Sequence, residues 1–158
     1  MDAVQALWSD CCRQQRDKGH DRTHLIGRAA ELFVQHLRCP VCSAFDWKSY
    51  PDNHPSFDLT CKGCSTHFQI KAQKELKPVA TDKRLAVMGT TYSRAVSGIG
   101  SVAYLLVSYH SVASIRCMYY IPSNKMELSC FHPWKATVLN TLCTITFQKG
   151  TYTKICFC

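Results

Sequence analysis

Apolar residues recur at helical spacing near the N-terminus, then give way to alternation and to one continuous apolar run. Leu7, Trp8, Cys11 and Cys12 stand among polar residues in the first twenty positions, which predicts a short helix ending near Gly19. Thr23 is the expected cap of a second helix, with Leu25, Ile26, Ala29, Phe33 and Leu37 on one stripe and Arg28, Glu31 and Gln35 on other faces. That helix must stop by Arg38-Cys39-Pro40, because the residue before a proline is pushed out of the α region. Residues 43–56 are turn-rich, Ser56 to Thr60 reads as a short strand, and Thr66 to Lys71 alternates as its partner. After the polar stretch Gln73 to Lys83, the stripe Leu85, Met88, Tyr92, Ala95 and Val96 predicts a third helix over 84–97, ended by Gly98-Ile99-Gly100. Val102 to Tyr109 is almost wholly apolar, as a central strand covered on both faces would be. His110 to Ser114 then turns into a strand from Ile115 to Ile121, closed by Pro122. Two more β segments are expected near 142–147 and 152–157. There is no repeat or linker, so residues 1–158 are expected to be one α/β or α+β domain with an insert at about 39–64.

Composition narrows the class. Of 158 residues, 46% are hydrophobic, enough for a core, and the formal charge of +8 suggests a polyanionic partner. Nucleic acid comes first in that expectation and an anionic membrane surface second. No run approaches the roughly 18 apolar residues of a membrane helix, and the N-terminus lacks a signal-peptide pattern. The expectation is an intracellular protein with no membrane partner, cytoplasmic in a prokaryote and nuclear or cytoplasmic in a eukaryote. Eleven cysteines, an odd number, then favour metal ligands and buried thiols over a disulfide framework.

Cys39-Pro40-Val41-Cys42 and Cys61-Lys62-Gly63-Cys64 form two C-x2-C pairs separated by eighteen residues. This is four-cysteine zinc-ribbon spacing, and each knuckle aims two thiolates at one tetrahedral ion. Gly63 is expected to supply the permissive backbone of its turn. A complete shell of four thiolates leaves no position for a water, so a zinc ion here would be structural. Four thiolates and one Zn²⁺ would bring the net charge to about +6. The remaining cysteines (11, 12, 117, 130, 143, 156 and 158) are expected to be buried thiols.

The second knuckle lies between two short strands. Alternation puts Gln69 and Lys71 on one face with Ile70 pointing to the core, and an antiparallel hairpin brings Asp58 to the same end. The set suits phosphodiester hydrolysis. Asp58, the Gln69 side-chain oxygen and the Ile70 carbonyl could hold Mg²⁺, while Lys71 orients or deprotonates water or stabilises charge on phosphoryl oxygens. As a bare pattern, Asp-x10-Gln-x-Lys also describes a solvated strand face.

Together, Cys39 to Cys42, Phe57-Asp58-Leu59-Thr60-Cys61-x-x-Cys64 and Phe68-Gln69-Ile70-Lys71-Ala72 resemble the catalytic domain of the Dam-replacing, DpnI-type restriction endonucleases. The resemblance continues through Tyr104 to Tyr109, Tyr120-Ile121-Pro122 and the final strands, covering roughly residues 20–158. It implies an α/β fold, a PD-(D/E)xK restriction-endonuclease-like core of a central mixed sheet flanked by helices, with an inserted four-cysteine zinc ribbon. It implies a metal-dependent endonuclease acting on double-stranded DNA at adenine-methylated, GATC-like sites. Residue by residue it makes Asp58 the metal-binding aspartate, Lys71 the catalytic lysine, and Cys39, Cys42, Cys61 and Cys64 the zinc ligands. Glu31 is an accessory metal-site acid or an exposed helical glutamate. The catalytic ion implied is Mg²⁺, or Mn²⁺ in its place.

Three departures stand out. Gln69 replaces the usual glutamate and removes a negative charge from the metal site. The family's C-terminal winged-helix domain is expected to be absent. No aromatic occurs in Val138-Leu139-Asn140-Thr141 before Cys143, Trp134 being the nearest. A catalytically weak or inactive module that binds modified DNA is therefore the alternative, and the expected oligomeric state is monomer or dimer. Arg22, Arg28, Lys74, Lys77, Lys83, Arg84 and Arg94 are the expected phosphate contacts. Trp47 and Tyr50 either approach bases or pack on the ribbon, and His54 and His67 lie near both sites without being needed by the four cysteines.

Overall fold

The computed structural model describes residues 3–51, 57–78, 84–91, 96–136 and 141–157. Helix α1 (Ala3–Asp17) turns through Gly19, whose φ of 79° suits a residue without a Cβ, into α2 (Arg22–Gln35). Asp21, not Thr23, starts α2. Its Oδ1 accepts the His24 N–H at 2.9 Å, and its carbonyl accepts the Leu25 N–H at 2.8 Å.

The strands are β1 (Trp47–Ser49), β2 (Leu59–Cys61), β3 (His67–Lys74), β4 (Leu85–Thr91), β5 (Val102–Ser111), β6 (Ser114–Ile121), β7 (Phe131–Ala136), β8 (Thr141–Phe147) and β9 (Thr153–Cys156). Six of them form a mixed sheet in the order β1-β2-β3-β5-β6-β9, in which only β3 and β5 run parallel. The other three form an antiparallel sheet, β4-β8-β7.

Alternation along β3, β5 and β6 sorts the core into two layers. Phe68, Ile70, Ala103, Leu105, Val107 and Met118 meet Trp8, Cys11, Ala29, Phe33 and Val34 of the helices. On the opposite face Tyr104, Leu106, Tyr119 and Ile121 meet Leu85, Val87, Phe131, Ile145 and Phe147 around the smaller sheet. β5 is apolar on both sides for this reason, as its sequence indicates.

The expected third helix is not formed over 84–91. That segment is strand β4, with Leu85 paired to Phe147 and Val87 to Ile145. Its two-residue alternation, not the longer stripe, decides, because a distant strand supplies both backbone partners and a core for Leu85 and Val87. Tyr92 and Ala95 lie outside the described residues. β2 begins three residues later than expected, β3 runs on to Lys74, and β1 and β7 are additional to the expected strands. The last two strands are not partners: β8 belongs to the small sheet and β9 to the edge of the large one. Cys11, Cys12 and Cys117 are buried, but Cys130 is only partly so and Cys156, on edge strand β9, is exposed. The Cys143 side chain and residue 158 lie outside the description. Among the described residues no helix is long and apolar enough to cross a membrane.

Trp8 ties the helical layer to the sheet. It is fully buried, packs edge-on against Phe33, and donates its indole N–H to the Ser111 carbonyl at 2.9 Å. Trp8→Ala is expected to destabilise by about 3–5 kcal/mol in urea unfolding. Phe45→Ala, at a ring 55% exposed, should change stability by less than about 0.5 kcal/mol.

Candidate metal centre and active site

Two short turns build the cysteine cluster. After α2, the Ser43 N–H bonds to the Cys39 carbonyl and the Cys39 N–H to the Ala44 carbonyl, both at 2.8 Å. At the end of β2, the Cys61 N–H bonds to the Thr66 carbonyl at 3.0 Å, and the Lys62 N–H reaches the Asp46 carbonyl at 2.8 Å to join the halves. The residue after each pair, Ser43 (φ 63°) and Ser65 (φ 58°), is left-handed, so the two knuckles share one backbone device.

All four Sγ atoms lie within 4.8 Å of one another, with Cys39 to Cys64 at 3.8 Å and Cys42 to Cys61 at 3.5 Å. Tetrahedral thiolates at about 2.3 Å from zinc would be roughly 3.8 Å apart, so the spacing fits such an ion. Burial pushes the Cys39 thiol up to about 12, so a thiolate there needs a cation beside it. The cluster could therefore hold a metal ion such as zinc.

Gly63 is required for space, not for its backbone freedom. Its φ is not left-handed, but an added Cβ would stand 2.8 Å from the Ala44 Cβ and 3.2 Å from the Cys42 Sγ. The close approach of the knuckles depends on its missing side chain.

Next to this clamp β2 and β3 pair over only Leu59–Phe68 and Thr60–His67. Beyond that pairing Asp58 takes over. Its N–H donates to the Phe68 carbonyl at 2.9 Å, while its Oδ2 accepts the Ile70 N–H at 2.7 Å and the Gln69 side-chain amide. An extended residue sends its N–H and C=O to the same side, so the Ile70 carbonyl also opens towards Asp58. Gln69 is 4% exposed and Lys71 half-buried on the face opposite Ile70. The structure thus brings Asp58, Gln69 and Ile70 into contact, with Lys71 next in line on β3.

Glu31 joins them electrostatically from α2. Burial and then the Asp58 carboxylate push its carboxyl up, while Arg28 and Lys71 draw it back. Its carboxylate pairs with Arg28 at 2.5 Å, and both side chains are about four-fifths buried. Glu31 is accordingly not an exposed helical glutamate. Arg28, expected among the phosphate contacts, is turned inward to Glu31. The i,i+3 spacing of the two residues was the available signal.

Trp47 packs on Phe68 and donates to the Leu37 carbonyl at 2.9 Å, so it joins the edge of the helix-side core and not a separate ribbon core. Tyr50 packs edge-on against Phe57, and His67 stacks on Phe57 at 4.1 Å while bonding Thr60 Oγ1 at 2.8 Å. His67 is not a member of the cysteine cluster. Lys74, Lys77 and Arg84 are exposed. His54, Lys83 and Arg94, and the side chain of Arg22, lie outside the described residues.

The family model described as "DpnI: Dam-replacing family" matches residues 12–127, which include α2, β1 through β6, all four cluster cysteines and the Asp58–Lys71 segment. Comparison with curated proteins gives no match.

Gly63→Ala should loosen the cluster and lower zinc affinity at least tenfold in chelator competition, a loss of about 1.4 kcal/mol. Ser65→Gly, which relieves a left-handed serine, should raise stability by up to about 1 kcal/mol. Glu31 gives a pH test. A folded carboxyl whose pKa lies above its unfolded value stabilises least once ionised, so its contribution falls as pH rises from the unfolded value through the folded one. Glu31→Gln should therefore gain on the wild type in metal-free melting experiments as pH rises from about 4 towards neutrality.

Proposed function

The chain belongs to the Dam-replacing family, and on that premise we propose that it is a metal-dependent endonuclease hydrolysing phosphodiester bonds in double-stranded DNA at adenine-methylated, GATC-like sites. On this reading the mixed sheet and helices are a PD-(D/E)xK core, and the knuckles at about 39–64 are its zinc ribbon. The observation that carries the proposal is the Asp58 carboxylate bonded to Gln69 and Ile70 at the end of the β2–β3 pairing, with Lys71 and Glu31 in electrostatic reach.

Asp58, the Ile70 carbonyl and the Gln69 Oε1 would hold a divalent cation, with Glu31 as the accessory acid. When bound there, Mg²⁺ or Mn²⁺ polarises the scissile phosphate and lowers the pKa of a water. Lys71 orients that water and stabilises charge on the phosphoryl oxygens. Arg28 holds the Glu31 carboxyl in place and offsets part of the burial that pushes it up. Lys77 and Arg84 supply phosphate contacts that confer affinity without sequence preference. Cys39, Cys42, Cys61 and Cys64 would hold zinc with no open position, in the structural role of fixing the β2 and β3 ends.

A second reading, a DNA-binding module with weak or lost chemistry, is favoured by the neutral side chain at position 69, which offers a cation one charge fewer than a glutamate would. Gln69 presents its amide N–H, not its oxygen, to Asp58. The amide must turn over before its oxygen can face a cation.

Incubation of the protein with Dam-methylated and unmethylated plasmid in Mg²⁺ or Mn²⁺ separates the readings. Cutting of the methylated form alone is the expected outcome. Lys71→Ala should reduce the rate at least about 100-fold with zinc content and melting temperature unchanged. Gln69→Glu should lower the Mg²⁺ concentration required. A zinc-loaded wild type that binds DNA with steep salt dependence but cuts neither form is the module.

A further inference from the structure

A cavity of about 730 Å³ opens on the helical side of the large sheet. None of Asp58, Gln69 and Lys71 lines it. Lys74, which does, alternates with Phe68 and Ile70 and so points to the face opposite Gln69 and Lys71. The other walls are Arg16 and His20 at the α1–α2 turn, Leu25 and Ile26 of α2, and Tyr109 to Val112 at the end of β5.

The chemistry of this lining is one-sided. Arg16, Lys74, His20 and His110 are all bases, and no carboxylate is among the described lining residues. Of the nearby acids, Glu75 is engaged by the lining His110 itself and Asp21 by α2, which leaves Arg16 and Lys74 to meet an anion. Glu75 binds His110 at 2.8 Å and approaches Arg116 at 3.7 Å, while Asp21 caps α2 and contacts His24 at 3.1 Å. Leu25, Ile26, Val112 and the Tyr109 ring, itself held against Trp8 at 5.8 Å, supply apolar walls. A bare anion would leave most of this volume unfilled, whereas ligand pockets of this size enclose small organic molecules.

We propose that the cavity binds a nucleoside 5′-monophosphate group, with Arg16 and Lys74 on the phosphate and Tyr109, Leu25, Ile26 and Val112 against the base and sugar. The group can belong to a free nucleotide or to a 5′-phosphorylated DNA end. The proposal does not rest on hydrolysis at Asp58, and its test requires no cleavage.

Calorimetric titration of the full zinc-loaded chain with dAMP, deoxyadenosine and inorganic phosphate is the test. dAMP should bind at least about tenfold more tightly than either fragment, since charge-assisted bonds and apolar contact then act together. The Arg16→Ala/Lys74→Ala double variant should weaken dAMP at least about tenfold, and Lys74→Glu should do the same, both with unchanged melting temperature. Lys71→Ala should leave dAMP affinity unaltered. Short duplexes with 5′-phosphate or 5′-hydroxyl ends distinguish the sources. A preference for the phosphorylated end that the double variant abolishes assigns the site to DNA ends, and equal binding of both ends assigns it to free nucleotide. Inorganic phosphate binding as tightly as dAMP, dAMP affinity unchanged in the double variant, or no saturation with dAMP would overturn the proposal.

Discussion

The parallel pairing of β3 with β5 is the constraint on which the candidate site depends. Eight consecutive register pairs, from His67–Val102 to Lys74–Tyr109, hold β3 along its whole length. A shift of one residue would exchange Gln69 and Lys71 for Ile70 and Ala72 at each face and place charge in the helical core. The register is enforced by burial on both sides of β5. Leu105 and Val107 can face only the helices, and Tyr104 and Leu106 only the smaller sheet. Parallel strands need a long crossover, and β4 lies within it, so the chain that returns to β5 also contributes to the second core layer.

On the other side of β3 the constraint is weak, and different chemistry replaces it. β2 contributes two register pairs, too few to order a hairpin by backbone bonding alone. The converging thiols lie at one end of this pairing and the Asp58 side chain, acting as a ladder acceptor for Ile70, at the other. A metal held by the cysteines would therefore act on Asp58 through a single short strand. Placing the cluster beside the acidic residues need not involve it in their chemistry; proximity makes the geometry stiff.

Much of this was legible because the informative relations are local. A C-x2-C turn is specified within four residues, and alternation in Gln69-Ile70-Lys71 separates the faces without knowledge of the rest of the fold. Glu31 was legible as a neighbour of Asp58 only through the family resemblance and not from its own spacing, since the approach of α2 to β3 is a matter of packing. The segment at Leu85 misleads because Leu85, Met88, Tyr92 and Ala95 fit a helix as well as Leu85 and Val87 fit a strand. The arbiter is β8, more than fifty residues away in sequence. β7 was hidden for a related reason: Pro133 discourages a strand reading, yet β7 is at the edge of its sheet, where proline is tolerated. Gly63 matters for a cause other than the expected one, since sequence shows a glycine but not the atoms that crowd it.

The electrostatics of the acidic group give Gln69 a physical rationale. Asp58 and Glu31 already repel each other, and burial adds to the penalty on Glu31; Arg28 and Lys71 offset part of both. A third carboxylate at position 69, almost wholly buried, would deepen that repulsion whenever no cation is bound. The amide converts the closest contact from repulsion between acceptors into a donor–acceptor bond with Asp58. The same bond occupies the Asp58 oxygen that also receives the Ile70 N–H. Stability of the cation-free site and readiness to take up a cation are thus opposed at one side chain. The balance between them is set by how easily the amide turns about its own side chain.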